Sequence, residues 1–441
     1  MTTETRQARY REELLDRILP WWESHAIVPA GGVLTCFSND GTLLSTDRYT
    51  WSQGRWAWLC AELSEAGAAG ALPLAAEDWR ERAVRTARLL EGTIVDDGTA
   101  VAFVTDEEAR HLPADEAGSV AVSVFADLFA ALGLTGAAAV VGPTSPAETA
   151  EGDRWTTAAS ALLVSAARRI RDGSAPSAPY SVPRDVTDLG RTMLLTSVAT
   201  EVHRRTGSLE SRAIVEEGVH RIVGPGGQWD RDRCWEYRPR ASSDLDTLVA
   251  RHLNPGHVLE MAWMLLDAAD HVPGLSTPLP DWLPETVLRT LELGWDDEHG
   301  GLLRYVDHEG GPPRGRTLGG AYEELVRDTW STKLWWVHVE ALLAAETFAA
   351  RTGDPRFERW AERLAEYTLA TFPDRSDGGD GGDGRSDGRS GTAARGREWQ
   401  QIRSRDGAPL ERVVALPVKD PFHVPRALLR LIGAHERTTT S

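Results

Sequence analysis

The chain has 441 residues, of which 41% are hydrophobic and 26% charged, a composition typical of a globular protein with ample material for a large core. Its net charge of -18 argues against nucleic acid or an anionic membrane as the main partner, because both select for basic patches.

The N-terminal residues and the cysteines bear on the cellular compartment. Residues 1–11 are polar and charged, and no run of about eighteen apolar residues is evident, so we expect neither a signal peptide nor a membrane span. Cys36, Cys60 and Cys234 are odd in number and far apart, which is typical of reduced thiols, and no Cys/His spacing suggests zinc. We therefore expect a cytoplasmic protein that uses no metal and no other cofactor.

The spacing of apolar residues predicts a mostly helical chain. A first helix is predicted over residues 8–25, followed by a short hairpin with an Asp-Gly turn over residues 31–41. Further helices are predicted over residues 49–67, 79–92, 118–132, 154–171, 189–205, 209–223, 332–350 and 355–371. Two short hairpins are predicted within residues 226–237 and 294–306.

Glycine-containing linkers recur between the predicted helices, at residues 132–136, 206–208 and 352–355, which is typical of a repeat of helical hairpins. Length alone would suggest two or three domains, but a closed helical barrel of this size is one domain, and we predict one over residues 1–441. Residues 375–396 are mostly Asp, Gly, Arg and Ser, with two alanines as the apolar content, and we predict a disordered surface loop there.

A histidine and a carboxylate occur together at the start of one strongly apolar helix. Asn254 suits the N-cap and Pro255 the first helical position, which puts His257 in the first turn. Glu260 is three residues further on the same face, where we expect it to orient the ring. His257 is thus a candidate acid or base, the structural alternative being a hydrogen-bond donor at a helix start.

A second histidine repeats this design near the C-terminus. Pro425 disfavours helix for the residue before it and fits the start of the helix after it, so His423 is predicted just ahead of an apolar helix. The chain therefore has two histidines at two helix starts.

Six stretches of the sequence resemble the N-acylglucosamine 2-epimerase family. In chain order these are residues 51–58 (Trp-Ser-Gln-Gly-Arg-x-x-Trp), 254–263 (Asn-Pro-Gly-His-x-x-Glu-x-x-Trp), 294–301 (Gly-Trp-Asp-x-x-His-Gly-Gly), 333–342 (Lys-Leu-Trp-Trp-x-His-x-Glu-Ala-Leu), 396–399 (Gly-Arg-Glu-Trp) and 422–426 (Phe-His-x-Pro-Arg). The resemblance extends from about residue 30 to the C-terminus and implies an all-α fold, the (α/α)6 barrel, with short β-hairpins in its loops.

The family resembled includes aldose 2-epimerases, cellobiose 2-epimerases and aldose–ketose isomerases. In many of the cellobiose epimerases and isomerases a third histidine precedes a Thr-Gly turn, and alignment on Thr206-Gly207 puts Leu194 at that position here. This departure favours a two-histidine 2-epimerase, with an N-acylated hexosamine as the expected substrate.

The chemistry of such a reaction explains why two histidines are needed. Epimerisation at C2 removes a proton next to the aldehyde and returns one to the opposite face, which two bases on facing helices can do through an enediolate. Arg55 is predicted to stabilise the enediolate oxygen. A helix N-terminus favours a neutral ring whereas Glu260 favours a protonated His257, so we expect the two rings to differ in basicity. Which ring is the base stays open.

Five further residues are predicted to bind the sugar: Trp51, Asn254, Trp336, Glu340 and Arg426. Structural alternatives are an ion pair for Arg55, a buried polar tie between helices for Glu340, and a neighbouring carboxylate as the partner of Arg426. His338, two positions from Glu340 and so on another face, is predicted to be structural.

The prediction is thus a cytoplasmic sugar 2-epimerase that acts on a small sugar. An aldose–ketose isomerase with the same intermediate is the first alternative. A glycosidase would need an acidic pair across the cavity, whereas the motifs centre on histidines. A non-catalytic sugar-binding protein also stays open, because resemblance does not guarantee activity. The oligomeric state is undecided, a homodimer being one option.

Overall fold

The computed structural model describes residues 1–142, 145–179, 182–183, 185–240, 244–374, 398–412 and 418–439. The helices within these ranges are α1 (Thr3–Glu12), α2 (Leu19–His25), α3 (Thr50–Ala68), α4 (Ala76–Gly92), α5 (Val124–Val141), α6 (Pro146–Asp172), α7 (Leu189–Thr206), α8 (Leu209–Val223), α9 (Leu248–Arg251), α10 (Pro255–His271), α11 (Leu283–Gly294), α12 (Ala321–Thr329), α13 (Trp335–Thr352), α14 (Pro355–Thr371) and α15 (His423–Thr439). A π-helical segment, Glu13–Ile18, joins α1 to α2 without a break. The predicted loop over residues 375–396 lies outside the described residues.

Twelve of these helices form two concentric rings. The inner ring contains α3, α5, α7, α10, α13 and α15, each in contact with the next, and Phe422 beside Trp58 at 5.4 Å joins the start of α15 back to α3. Each inner helix also packs on an outer one, namely α4, α6, α8, α11, α14 and α1 in the same order. This is the (α/α)6 barrel that the resemblance implied, and its inner helices are apolar on most sides because they are covered on most sides.

One predicted linker, at residues 132–136, is wrong, because α5 runs straight through it. A Cβ atom at Gly133 would lie 2.6 Å from the carbonyl oxygen of Gly54, and one at Gly136 would lie 3.1 Å from the Cα of Trp58. These glycines therefore allow α3 and α5 to approach closely. Gly207 and Gly353 do end helices as predicted, each with φ of +66°.

Because a linker was predicted at residues 132–136, the full length of the apolar helix α5 was not predicted. Among the described residues it is the helix whose length and hydropathy would suit a membrane span, yet 78% of it is buried within the protein. Its neighbours α3 and α6 cover it, so the interior of the barrel accounts for its composition. The expectation that no such stretch exists is corrected accordingly.

The described strands are two or three residues long and pair antiparallel in the loops. They are β1 (Arg48–Tyr49) with β4 (Val104–Thr105), β2 (Ile94–Val95) with β3 (Ala100–Val101), β5 (Val186–Asp188) with β6 (Tyr237–Pro239), β7 (His252–Leu253) with β8 (Val306–Asp307), and β9 (Lys333–Leu334) with β10 (Ile402–Arg403). Strands β1, β5, β7 and β9 lie directly before inner helices, and thus anchor the starts of α3, α7, α10 and α13.

The three predicted hairpins are confirmed as single antiparallel bridges. Phe37 bridges Leu43, Trp229 bridges Cys234, and Trp295 bridges Leu302. All three belong to loops around the barrel, so the β-structure decorates the helical scaffold as expected.

Candidate active site

A cavity of about 390 Å³ opens at the N-terminal ends of the inner helices, which is within the usual size of a small-molecule site. Every inner helix contributes a residue from its first turns to the wall: Trp51 and Arg55 from α3, Phe125 and Phe129 from α5, Gly190 from α7, His257 from α10, Trp336 from α13 and His423 from α15. Helix N-termini carry partial positive charge, so this arrangement favours negative charge that develops inside the cavity.

His257 occupies the first turn of α10 as predicted. The side chain of Asn254 accepts a hydrogen bond from the His257 backbone N–H at 3.3 Å, and Pro255 starts the helix. Nδ1 of the ring lies 2.8 and 3.0 Å from the two carboxylate oxygens of Glu236. With Nδ1 held in this way, Nε2 is the nitrogen available to a ligand in the cavity.

The predicted orienting role of Glu260 toward His257 is wrong. Although Glu260 is three residues away on the same helix, its Oε1 accepts a hydrogen bond from Arg426 at 2.7 Å. A buried guanidinium is costly without carboxylates around it, so Arg426 draws Glu260 toward α15. Glu260 still lines the cavity.

Burial and Glu236 act in opposite directions on the pKa of His257. Burial lowers it, while the charge of Glu236 and its hydrogen bond raise it, with smaller contributions from Glu260 and Asp188; the resulting pKa is above the ordinary 6.5. Glu236 precedes β6, 21 residues before the histidine, and the sequence offered no signal that would pair them.

His423 has an equivalent carboxylate partner. Its Nδ1 lies 2.8 Å from Oε1 of Glu340, and its backbone N–H donates to Asp420 at 2.9 Å. Glu340 is fully buried and also accepts from Trp263 Nε1 at 2.9 Å and from Arg426.

Because Glu340 is enclosed and does not line the cavity, its predicted contact with sugar is wrong. The structure instead has the alternative that was predicted for Glu340, a buried polar tie between helices. Burial by itself would raise the pKa of Glu340, but Arg426 and His423 together lower it to about 2. The carboxylate therefore stays charged and fixes the orientation of His423.

Trp336 lies beside both histidine rings. Its ring centroid is 5.3 Å from that of His257 and 5.6 Å from that of His423, with an interplanar angle of 36° in each case. The two imidazole centroids are therefore less than about 11 Å apart, the sum of these distances. Two helix starts that are far apart in the chain thus present their rings to one cavity, as predicted.

Arg55 also reaches this cavity, but it has a carboxylate partner. Its Nη1 donates to Asp420 at 3.0 Å, and its guanidinium carbon lies 4.7, 4.1 and 5.1 Å from the ring centroids of Trp51, Phe129 and Phe422. The structural ion pair that was the alternative is therefore present, without removing Arg55 from the wall. Asp420 joins Arg55 to the backbone of His423 and sets their relative position.

Two groups of side chains among the described residues have the donor atoms for a cation. Glu260, Glu340 and His423 offer ligand atoms within 4.8 Å of one another, but Arg426 donates to both carboxylates and balances their charge. Asp307, His308 and Glu309 form the second group, where Arg251 takes the same role toward both carboxylates. An arginine therefore balances the charge of the carboxylates in each group.

The remaining predictions concern Leu194 and His338. Leu194 lines the cavity, and the histidines among the described lining residues are His257 and His423. His338 is buried, accepts from the backbone N–H of Leu302 at 2.8 Å, and has a pKa lowered by burial to about 3. Its predicted structural role is confirmed.

One further part of the wall lies outside the sequence motifs. Tyr237, Arg304, Tyr305 and Tyr322 line the cavity together with Glu236. The bridged loop near residue 300 and helix α12 carry three of them, and the only signals were the hairpins predicted within residues 226–237 and 294–306.

Comparison with known proteins agrees with this architecture. The family described as N-acylglucosamine 2-epimerase (GlcNAc 2-epimerase) matches residues 32–390. The N-acylglucosamine 2-epimerase of Bos taurus is 26% identical over 433 residues, covering 94% of this chain and 87% of that protein. The enzyme of the same name from Homo sapiens is 25% identical over 428 residues, covering 94% of this chain and 86% of that protein.

Solved structures share the fold at lower identity. The cellobiose 2-epimerase from Bacillus thermoamylovorans superposes with a TM-score of 0.69 at 16% identity, covering 98% of this chain and all of the other. A D-mannose isomerase superposes with a TM-score of 0.67 at 15% identity, covering 98% of both chains.

Proposed function

Because this chain belongs to the N-acylglucosamine 2-epimerase family, whose match spans residues 32–390, we propose that this sugar 2-epimerase interconverts N-acyl-D-glucosamine and N-acyl-D-mannosamine. Relatives that carry the name of that reaction match over nearly the whole chain. The observation that carries the mechanism is the pair of imidazoles, His257 and His423, which both lie beside Trp336 in one cavity and are each held at Nδ1 by a buried carboxylate.

The proposed reaction begins with the open-chain aldehyde between the two rings. Nε2 of one neutral histidine takes the proton from C2, and the electron pair of that C–H bond moves into an enolate, or into an enediolate when C2 carries a hydroxyl group. The other histidine, protonated, delivers a proton to the opposite face of C2. One ring has then gained a proton and the other has lost one, and exchange with water restores both.

The charge that builds on the aldehyde oxygen needs stabilisation. The N-termini of the six inner helices and the cationic Arg55 supply positive potential around the cavity. Asp420 keeps Arg55 beside the backbone of His423, so the cation is in place before the substrate arrives. Each positioned proton-transfer group contributes roughly 10²–10⁴-fold to the rate.

Family membership favours this epimerase over an aldose–ketose isomerase. An N-acylated substrate bears nitrogen at C2 and has no hydroxyl group there to become a ketone. Leu194 in the cavity wall supports the same choice, because it stands where many of the isomerases resembled have a third histidine.

The test is proton NMR in heavy water with N-acetylglucosamine and N-acetylmannosamine. The wild-type protein is expected to interconvert them and to place deuterium at C2 of the product. His257→Asn and His423→Asn should each lower the rate of epimerisation roughly 10²–10⁴-fold.

The two variants also report which ring serves which epimer. Each variant keeps one base on one face of C2, so each should still exchange the C2 proton of one epimer. The epimer that exchanges should differ between the two variants. Full epimerisation by either variant would refute the two-base mechanism, and appearance of a ketose would refute the epimerase.

A cytoplasmic location, a small sugar as the substrate, and the absence of a nucleic-acid or membrane partner are part of this proposal. The three cysteines are unpaired and buried, which suits a reducing compartment. Imaging of the tagged protein tests the location. Sedimentation tests whether the protein is a homodimer.

A further inference from the structure

Arg304 differs from Arg55 and Arg426, the two other buried arginines of the cavity wall. Arg55 donates to Asp420 at 3.0 Å and Arg426 donates to Glu260 at 2.7 Å, whereas no carboxylate among the described residues pairs with Arg304. The side chain is nonetheless only 5% exposed, and it lines the cavity. A buried cation without a counter-charge is costly, so a group that brings negative charge to Arg304 would gain from it.

The surroundings of Arg304 hold it in place without neutralising it. Its guanidinium carbon lies 5.0 Å from the ring centroid of Tyr305, a cation–π contact. The backbone N–H of Arg304 donates to the carbonyl oxygen of Thr332 at 3.0 Å, which fixes the loop that carries it. The cation is therefore pre-positioned at the cavity wall.

Three tyrosines build the wall around this cation. The rings of Tyr237 and Tyr322 meet edge to face with centroids 4.8 Å apart, and Tyr322 Oη lies 2.9 Å from Nε2 of His252. Burial raises the pKa of Tyr237, Tyr305 and Tyr322, so their hydroxyl groups stay protonated at neutral pH. Nδ1 of His252 faces the carbonyl oxygens of Leu248 and Val249, so its Nε2 accepts the hydrogen bond that Tyr322 donates. Arg304, Tyr237 and Tyr305 therefore offer donors to a ligand, and none of these side chains offers negative charge.

This part of the cavity adjoins the His257 end. Tyr237 follows Glu236 in the chain, and the charge of Glu236 acts on both Tyr305 and Tyr322. Arg304 and both histidines line the same cavity, so a sugar with C2 between the two histidine rings can reach Arg304.

We propose that Arg304, with Tyr237 and Tyr305, binds an oxyanion carried by the sugar, so that the preferred substrates are acidic N-acylhexosamines. A guanidinium matches a phosphate or carboxylate group with two parallel hydrogen bonds, which neutral sugars cannot provide. The chain has a net charge of -18 and repels anions at long range, so this preference must come from the local contact. The inference rests on the proposed function, because the acidic sugar must present its C2 to the same two histidines.

The experiment compares three sugars: N-acetylglucosamine, its 6-phosphate, and the C6 carboxylate (the corresponding uronate). Deuterium incorporation at C2 and kcat/KM are measured for wild type, Arg304→Met, Arg304→Lys and Arg412→Met. Arg412 is an exposed cation at the rim of the cavity, and its variant measures the loss of one positive charge without loss of the buried contact.

Wild type is expected to favour at least one acidic sugar by about tenfold or more. Arg304→Met should lower kcat/KM for that sugar roughly 10- to 100-fold and for the neutral sugar less than about threefold, the range of a charge-assisted hydrogen bond. Arg304→Lys should recover part of the loss, and Arg412→Met should change the preference less than about threefold. Whichever acid is favoured identifies phosphate or carboxylate as the group bound.

Two results would overturn the inference while leaving the epimerase intact. One is a wild-type protein that turns over the neutral sugar at least as well as both acidic ones. The other is an equal loss for all three sugars in Arg304→Met, which would assign the cation to the reacting oxygens that they share. Failure of every sugar to exchange at C2 would instead refute the proposed function itself.

Discussion

Replacing Glu236 by glutamine keeps the size of the side chain but removes the charge next to Nδ1 of His257. The contact distances are 2.8 and 3.0 Å, and Glu236 is 5% exposed, so solvent screens this interaction little. A hydrogen bond to a charged group contributes about 1.5–3 kcal/mol, which at about 1.4 kcal/mol for each factor of ten corresponds to a loss of roughly 10- to 150-fold in kcat.

The substitution should also change the dependence on pH. One histidine must be neutral and the other protonated, so the profile of kcat/KM is expected to be bell-shaped. Glu236 raises the pKa of His257 above 6.5 against the effect of burial. Without that carboxylate, burial prevails and the pKa falls, so the limb of the profile that reports His257 should move to lower pH.

The assay is epimerisation followed by NMR between pH 5 and 9, with Glu210→Gln as the control. Glu210 is exposed on α8, and its variant should reproduce the wild-type profile. A Glu236→Gln protein with kcat within about twofold of wild type and an unchanged profile would refute the idea that this carboxylate sets the state of His257.

Three other variants test the packing and the buried charges. Gly133→Ala should lower the free energy of unfolding, measured in urea, by about 1–3 kcal/mol, because its Cβ would lie 2.6 Å from a carbonyl oxygen of α3. The control Gly92→Ala places its Cβ in open space and should be neutral or stabilising. Equal effects of the two substitutions would contradict this reasoning. Arg426→Met should cost about 3–5 kcal/mol, because it leaves two buried carboxylates without their cation, and a stable variant would contradict that pairing. Burial raises the pKa of Glu398 to about 7, so the contribution of this group to stability is fully present below about pH 4.5 and is lost as pH rises through 7. The free energy of unfolding of Glu398→Gln should therefore rise relative to that of wild type between pH 5 and 8, by as much as about 3 kcal/mol. A constant difference between the two proteins across that range would show that Glu398 does not titrate there.

Part of the site could be predicted because it depends on neighbours in the chain. Asn254, Pro255 and His257 are within one turn, and capping of a helix start requires only those few residues, so the position of His257 followed from the order of the amino acids. Gly207 and Gly353, the left-handed glycines that end α7 and α13, could likewise be predicted from their neighbours in the chain. The local pattern alone predicts a series of helices, and the resemblance of the motifs to the family predicted that these helices form a barrel.

The partners of the two histidines depend instead on the closed barrel. His257 is held by Glu236, 21 residues away in the loop before β6, and His423 is held by Glu340, 83 residues away on a neighbouring inner helix. Both contacts exist only because the closed fold brings these segments together. Competition between buried charges decided that Glu260 pairs with Arg426, a choice that spacing along one helix could not reveal. The sequence by itself therefore determined which helix starts carry the imidazoles, whereas only the tertiary structure decided which carboxylates hold them, since a buried charge pairs with whatever the fold brings within reach.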